Sequence, residues 1–291
     1  MWLFARVRFA VNILILGCGQ IGQALAEQLT QDTYNNDQAQ HQIICVSRTA
    51  KTFSYDNIQH LAQDIQSLNF QDLDLSHQPS FDWVYVIVSP DERNVDAYQR
   101  IFIDTARSVF QALQHHPVQK VIFISSTRVY SEDQGQWIND ESIPNTDDSI
   151  GQTLIAAEQL WSAYWQEKLT IIRPSGLYRE HSGFLKKKAL ETHQLHENHW
   201  TNRIHRADLV GFLHYLITLE KVESSYILTD QRPTLQHELF NIIRAENLLE
   251  PLRIHPDAKT TGKRLRADRF TQSGYKLKYP VHPLLTKKIP T

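Results

Sequence analysis

Val11-Asn12-Ile13-Leu14-Ile15-Leu16-Gly17-Cys18-Gly19-Gln20-Ile21-Gly22 is the stretch from which the fold of this chain can be read. Its first half, Val11 to Leu16, is a short apolar run rich in branched side chains and closed by glycine, the pattern of a strand buried on both faces of a parallel sheet. Beyond the glycines, Ile21, Leu25 and Leu29 recur at every fourth position with Ala24 beside them, so Gln20 to Thr30 reads as an amphipathic helix. Ile43 to Val46, Trp83 to Val88, Val121 to Ile124 and Thr170 to Ile172 repeat the short continuous apolar form. Between them, Tyr98, Ile101, Phe102, Val109, Phe110 and Leu113 form one helical stripe, and Leu154 to Tyr164 forms another. Strands alternating with helices in this way predict an α/β fold, a doubly wound parallel sheet.

Gly17-x-Gly19-x-x-Gly22 falls at the strand-to-helix junction, where each glycine has a physical reason. The first makes a tight turn, the second lets a diphosphate approach the backbone, and the third lets the helix pack closely on the strand. Unpaired helix N–H groups and the helix dipole then favour an anion. A dinucleotide is therefore expected here, in a Rossmann domain. The second strand leads into Ser47-Arg48 rather than an acidic residue. Charge-assisted hydrogen bonds from that pair suit a 2'-phosphate, which points to NADP with NAD as the alternative; a solvated surface arginine is the bland reading.

The 291 residues are 41% hydrophobic and 21% charged, with a net charge of -2, as in an ordinary water-soluble globule. No overall positive field exists to attract nucleic acid or anionic lipid, so neither is an expected partner. Two cysteines, Cys18 and Cys45, fall in buried strands or their exits and suggest free thiols in a reducing compartment. Arg6 and Arg8 ahead of the run ending Leu16-Gly17-Cys18 have the outline of a lipoprotein signal. Asn12 interrupts that run and the glycines continue past Cys18, so a cytoplasmic chain without a membrane anchor is the expectation. After Pro174 the texture turns polar and histidine-rich. The Rossmann domain is expected over 11–178 and a smaller C-terminal substrate lobe over 179–291, with about 202–229 returning to the first domain.

Ile124-Ser125-Ser126-Thr127-Arg128-Val129-Tyr130, with Gly135, Trp137 and Asp140-Glu141 after it, resembles the NAD-dependent epimerase/dehydratase family, the extended short-chain dehydrogenases. The likeness continues through Ala156-Ala157-Glu158, Arg173-Pro174-Ser175-Gly176-Leu177-Tyr178, Asn202-Arg203-Ile204-His205, Asp208-Leu209 and Thr229-Asp230 with Arg232-Pro233, and spans Val11 to Pro280. The resemblance implies Gly17, Gly19, Gln20, Ile21 and Gly22 on the pyrophosphate, Asp64 and Ile65 near the adenine, Val88 and Ser89 by the ribose, and Ser125 and Pro174 beside the nicotinamide. It implies a small-molecule substrate, commonly a nucleotide sugar, bound by the smaller lobe. Ser126 matches the family's catalytic hydroxyl, with Tyr130 a second candidate at the same strand end. Thr127, Arg128, Tyr178 and His205 are candidate substrate contacts. Members commonly pair through the two helices that correspond to the aromatic stripes here, so a homodimer is a further expectation.

Two departures stand out. The family commonly has a G-x-x-G-x-x-G turn, and Leu16 stands at the first of those glycines. Its Tyr-x-x-x-Lys pair, in which the lysine lowers the phenol's pKa so that it exchanges a proton with a substrate hydroxyl, aligns with Ile150 and Leu154, which transfer no proton. Tyr164 and Lys168 have the same spacing but lie about 21 Å further along a continuous helix. Dehydratase members carry Asp and Glu where Thr127 and Arg128 stand. The readings are therefore an oxidoreductase or epimerase with an unidentified proton carrier, or a catalytically silent NADP sensor. His193, His196 and His199 recur every third residue without the spacing of a helical zinc site, so no metal is expected. Lys186-Lys187-Lys188 reads as a solvated face; Lys263, Arg264, Arg266 and Arg269 are a candidate diphosphate contact.

Overall fold

The computed structural model describes residues 10–34, 40–68, 70, 80–131, 133–179 and 183–286. Arg6, Arg8 and Glu132 lie outside the described residues. In chain order the elements are β1 (Asn12–Leu16), α1 (Gln20–Tyr34), β2 (Gln42–Ser47), β3 (Ile58–Ala62), β4 (Phe81–Val86), α2 (Val95–Tyr98), α3 (Thr105–Leu113), β5 (Val118–Ile124), β6 (Trp137–Ile138), α4 (Ser149–Trp165), β7 (Leu169–Pro174) and β8 (Gly176–Tyr178). They continue with α5 (Gly183–Glu191), β9 (Gln194–Thr201), β10 (Arg203–His205), α6 (Arg206–Tyr215), β11 (Ser225–Leu228), β12 (Thr234–Leu235), α7 (Gln236–Glu246), β13 (Arg253–Gly262), β14 (Arg264–Leu265) and α8 (Asp268–Gln272). Among the described residues no helix is long and apolar enough to cross a membrane.

The seven-stranded parallel sheet runs in the order β11-β7-β5-β4-β1-β2-β3. β1 lies inside it between β4 and β2, and Ile13, Leu14, Ile15 and Leu16 have no exposed surface, which is why the run shows no polar alternation. The order reverses across β1: β2 and β3 lie on one side, β4 and β5 on the other. That reversal opens a crevice at the carboxyl ends of the strands, the place where open α/β sheets bind ligands. The five predicted strands are present. β3 and β11 were not anticipated: Ile58-Gln59-His60-Leu61-Ala62 is an edge strand of mixed polarity, and Ser225-Tyr226-Ile227-Leu228 opens on a polar residue.

Two compact units divide the chain: Met1–Val129 with Asp147–Ile172 and Val210–Ser225, and Tyr130–Thr146 with Arg173–Leu209 and Tyr226–Thr291. The second unit thus takes 130–146 and 173–178, which the sequence reading kept in the first, and the segment returning to the first is 210–225. In the first unit, α2 runs into a π-helical turn at Gln99–Asp104 and then α3. The indole N–H of Trp161 on α4 donates to the Phe102 carbonyl in that turn at 3.3 Å, while its ring stacks on Phe123 with centroids 5.0 Å apart. Tyr164 stacks on Phe110 of α3, centroids 4.3 Å apart. Helix α4 ends at Trp165, and Gln166 turns into a positive φ of 49°, so Lys168 is off the helix and the Tyr164/Lys168 pair shares no helical face. The second unit has its own core of Ala189, Leu195, Phe240, Ile243 and Leu252.

Candidate functional site

The glycine turn is held by backbone bonds on both sides. The N–H groups of Gly17 and Cys18 donate to the Val46 carbonyl at 3.0 and 2.9 Å, Gly19 N–H donates to Gly17 O at 2.8 Å, and Ile87 N–H donates to Leu16 O at 2.7 Å. Gly17 has a φ of +94°, and a Cβ there would lie 2.1 Å from the Ile87 carbonyl oxygen. A Cβ on Gly22 would lie 2.6 Å from Gly17 O and 3.2 Å from the Ile15 side chain. Two of the three glycines are therefore fixed by the protein's own packing. Gly19 differs: a Cβ there meets nothing within 4 Å. The chain has no internal need for a bare backbone at Gly19, so the clearance is suited to something from outside, at the opening turn of α1 where helix N–H groups favour an anion.

Beside the turn, β2 ends in Ser47, whose Oγ lies 2.9 Å from His60 Nε2 on β3 and donates to the Thr49 carbonyl at 3.2 Å. Burial, then the charge of Lys51, holds the His60 imidazole below its ordinary pKa. Arg48 reaches Asp91 at 3.1 Å, with the two side chains 64% and 73% exposed, so the pair is weakly held and open to exchange for another anion. Asp64 is exposed and accepts from Gln66 N–H at 2.9 Å, capping a short 3-10 turn in which Ile65 is buried. Val88 is half-buried and Ser89 exposed in the segment after β4.

At the end of β5, Ser125 and Ser126 part company. Ser125 is buried and its Oγ donates to Glu158 Oε1 on α4 at 2.6 Å. Ser126 is half-buried and accepts the Arg128 N–H at 3.1 Å, leaving its own proton available. Thr127 is buried. Arg128 is half-buried. It holds Asp148 through two bonds of 2.6 and 3.0 Å, and Asp148 caps α4 by accepting Gly151 N–H at 2.8 Å. Asp140 is instead a buried acceptor of the Ile227 and Arg269 N–H groups, and Glu141 pairs with Arg269. Ile150 and Leu154 on α4 are buried, 6% and 0% exposed.

In the second unit Tyr130 is 2% exposed, and its hydroxyl accepts from Arg173 Nη1 at 2.9 Å. Lys263 Nζ donates to the Tyr130 carbonyl. Pro174 closes β7 and is buried. Tyr178 and His205 meet as register partners of β8 and β10, ring centroids 5.0 Å apart. His282 lies 4.4 Å from Tyr178, and Tyr279 lies 3.7 Å from His205. The Tyr178 hydroxyl is buried with no hydrogen-bond partner among the described residues. Burial pushes that phenol up, and the charges of Asp230 and Asp208 push it further. The basic candidates are engaged with protein: Arg264 lies over Trp137 and Trp200, Arg266 pairs with Asp268, and Arg269 pairs with Glu141. Among the described residues no group of three His, Cys, Asp or Glu could hold a metal. His193, His196 and His199 accompany a strand rather than a helix, so the three-residue spacing puts His196 and His199 on opposite faces. His196 stacks on His255, and His199 bonds Thr261.

A family model for the NAD-dependent epimerase/dehydratase family matches residues 13–207. The chain belongs to that family. A solved chain from Methylobacillus flagellatus, assigned to the NAD-dependent epimerase/dehydratases, is 28% identical, with a TM-score of 0.76 over 94% of this chain and 95% of that one. UDP-glucuronic acid 4-epimerase from Bacillus cereus, solved in complex with NAD, is 15% identical, with a TM-score of 0.69 over 92% and 94%. A functionally unknown protein from Silicibacter pomeroyi is 18% identical, with a TM-score of 0.66 over 94% and 95%. A search of curated proteins found no match.

Three participants escaped the sequence reading. His60 lies on an unpredicted strand, and only the pairing of Ser47 with Ala62 and Cys45 with His60 brings it beside Ser47. Asp148 caps α4 and Glu158 lies on its buried face. Their partners Arg128 and Ser125 lie 20 and 33 residues away and carry no local signal.

Proposed function

We propose that this chain is an NADP-preferring dinucleotide-binding protein whose Ser126 hydroxyl is offered to a small carbonyl or nucleotide-sugar-like ligand. The single observation that supports it most is Gly19: its neighbours in the motif are glycine because the protein leaves no room, whereas Gly19 is bare beside open space. Gly17, Gly19, Gln20, Ile21 and Gly22 would hold the diphosphate, Asp64 and Ile65 the adenine end, and Val88, Ser89 and Ser125 the nicotinamide half. Ser47 and Arg48 would take the 2'-phosphate, Arg48 exchanging Asp91 for it. When bound, the nicotinamide supplies a hydride acceptor or donor.

Ser126 keeps a proton to donate to a carbonyl oxygen, since its own oxygen already accepts the Arg128 N–H. Ser125 is committed to Glu158 and serves to fix the loop. Tyr130 is buried and bonded to Arg173, so it is left out of the proton-transfer assignment. A second reading is favoured by Ile150 and Leu154: with both buried and apolar where the family carries its proton-transferring pair, the chain would bind dinucleotide without turnover. Calorimetric titration with NADP and NAD tests binding, and a panel of carbonyl compounds and nucleotide sugars, followed by absorbance of the reduced cofactor, separates the two readings. Tight NADP binding with Ser126-dependent turnover supports the first; tight binding with silence across the panel supports the second. No uptake of either dinucleotide sinks both.

A further inference from the structure

β2 and the edge strand β3 run parallel with Cys45 opposite His60 and Ser47 opposite Ala62. Cys45, Ser47 and His60 therefore project from one face of the sheet, and the imidazole reaches along it until Nε2 lies 2.9 Å from Ser47 Oγ. Ser47 is the last residue of β2, at the carboxyl end of the sheet, and Arg48 follows it. The His60 ring is half-buried. Around it stand Cys45, which has no exposed surface, and the Phe53 ring with its centroid 6.3 Å away; Lys51, in the segment leading to β3, acts on it by its charge. Among the described residues no carboxylate lies within ion-pair distance of His60 or Lys51, and the Asp91 that reaches Arg48 belongs to a pair 64% and 73% exposed. The strand end thus gathers cationic side chains without the acids to neutralise them. Such an arrangement suits an incoming dianion, and His60 is the member whose charge adjusts near neutral pH.

We propose that His60 is the third member of the 2'-phosphate site, with Ser47 and Arg48: it takes up a proton from solvent as NADP binds, and so selects NADP over NAD more strongly at mildly acidic than at alkaline pH. This rests on the dinucleotide reading above and adds to it a specificity-determining residue. A phosphate oxygen that accepts from Ser47, whose proton turns from the Thr49 carbonyl, sits no more than about 6 Å from Nε2, inside the range over which an opposite charge favours an imidazolium. In the free chain burial, then Lys51, keeps the ring below its ordinary pKa, and the phosphate raises that pKa on binding. The gain in affinity is complete below the pKa of the free ring and is lost as the pH rises through that of the bound one. The phosphate by itself behaves in the opposite sense. Its second ionisation falls near about pH 6, and holding it against Arg48 sheds its last proton, so a site without His60 releases protons where this one takes them up. NAD, with a hydroxyl in that place, does neither.

The test uses the full chain and compares the parent, His60→Gln and His60→Lys by calorimetric titration with NADP and with NAD at about pH 6 and about pH 8.5. Each titration is run in two buffers of different ionisation heat, so that protons gained or lost on binding are counted. Near about pH 6.5 the parent is expected to take up about half a proton more with NADP than His60→Gln does, and to show no such difference with NAD. Its preference for NADP over NAD is expected to exceed that of His60→Gln about tenfold at the acidic pH and to converge with it at the alkaline one. His60→Lys, a permanent cation, is expected to keep the preference at alkaline pH and to lose the proton uptake, a pattern that a merely structural role for His60 would not produce. Equal proton counts and equal preferences in the parent and His60→Gln overturn the proposal, as does a His60→Lys chain that prefers NADP no more than His60→Gln at alkaline pH. A parent that takes up neither dinucleotide overturns the proposed function and this proposal together, whereas uptake indifferent to residue 60 overturns this proposal alone.

Discussion

Replacing Gly19 with alanine separates folding from dinucleotide uptake. A methyl at this position meets no heavy atom within 4 Å, whereas one at Gly17 would lie 2.1 Å from a backbone oxygen on a residue whose φ is +94°. Gly19→Ala is therefore expected to leave the unfolding free energy unchanged or raise it by about 0.4–1 kcal/mol, because alanine narrows the unfolded ensemble. The same substitution at Gly17 combines a left-handed backbone, worth about 1–2 kcal/mol, with a clash that only backbone movement relieves, and is expected to cost more than about 3 kcal/mol. Binding reverses the ranking of interest. A methyl on Gly19 holds a diphosphate off the amides behind it, and one charge-assisted hydrogen bond lost, about 1.5–3 kcal/mol, weakens NADP by about 10- to 150-fold. Urea unfolding of both variants, with calorimetric NADP titration of Gly19→Ala, reads the two effects independently. A folded Gly19→Ala chain that binds NADP like the parent would refute the assignment of the turn as a phosphate cradle.

Asp91→Asn frees Arg48 from its ion pair and is expected to tighten NADP while leaving NAD unchanged; Arg48→Ala is expected to weaken NADP about tenfold, and equal effects on both dinucleotides in calorimetry would remove the 2'-phosphate assignment. Ser125→Ala deletes the 2.6 Å bond to buried Glu158 and should lower stability by about 1.5–3 kcal/mol in urea unfolding, against no change for a surface serine such as Ser89→Ala. Two groups of the second unit oppose one another in their pH dependence. Burial raises the Asp230 carboxyl from 3.8 to about 6, so its contribution to stability is full below about pH 4 and is lost as the pH rises through 6. Burial, with the charges of Arg203 and His205, lowers His282 from 6.5 to about 4, so its contribution is full above 6.5 and is lost as the pH falls through 4. Each is worth up to about 3 kcal/mol, and the parent should be nearly flat between pH 4 and 6.5 on their account. Asp230→Asn should therefore gain stability as the pH rises across that window and His282→Gln should lose it, a contrast that urea midpoints at three pH values would detect.

The central sheet was legible because its buried strands form uninterrupted apolar runs, and because Gly17, Gly19 and Gly22 mark the tight turn from the first of them into a helix. The edge strands were not, since Gln59 and His60 face surroundings that allow polar side chains and leave no periodicity to detect. The glycine spacing pointed to the turn between β1 and α1, whereas the pairings Arg128 with Asp148, Ser125 with Glu158 and Ser47 with His60 depend on how distant segments are brought together. The histidines at 193, 196 and 199 show the opposite limit. A spacing of three carries one meaning on a helix and another on a strand, and local composition did not settle which element they occupied.

Asp208 receives three bonds from the far end of the chain: from the Tyr275 hydroxyl and from the N–H groups of Lys278 and Tyr279, the last two at 2.6 and 3.0 Å. This buried carboxylate works as a buckle that presents Tyr279 to His205 and His282 to Tyr178. Half of that aromatic cluster is therefore borrowed from a stretch of polypeptide some seventy residues downstream of Asp208, remote in sequence from the glycine turn. Exchanging that stretch between relatives would change the rings packed on Tyr178 and His205 while leaving the residues of the glycine turn as they were, which gives evolution, or an engineer, a detachable part for altering this cluster without rebuilding the house.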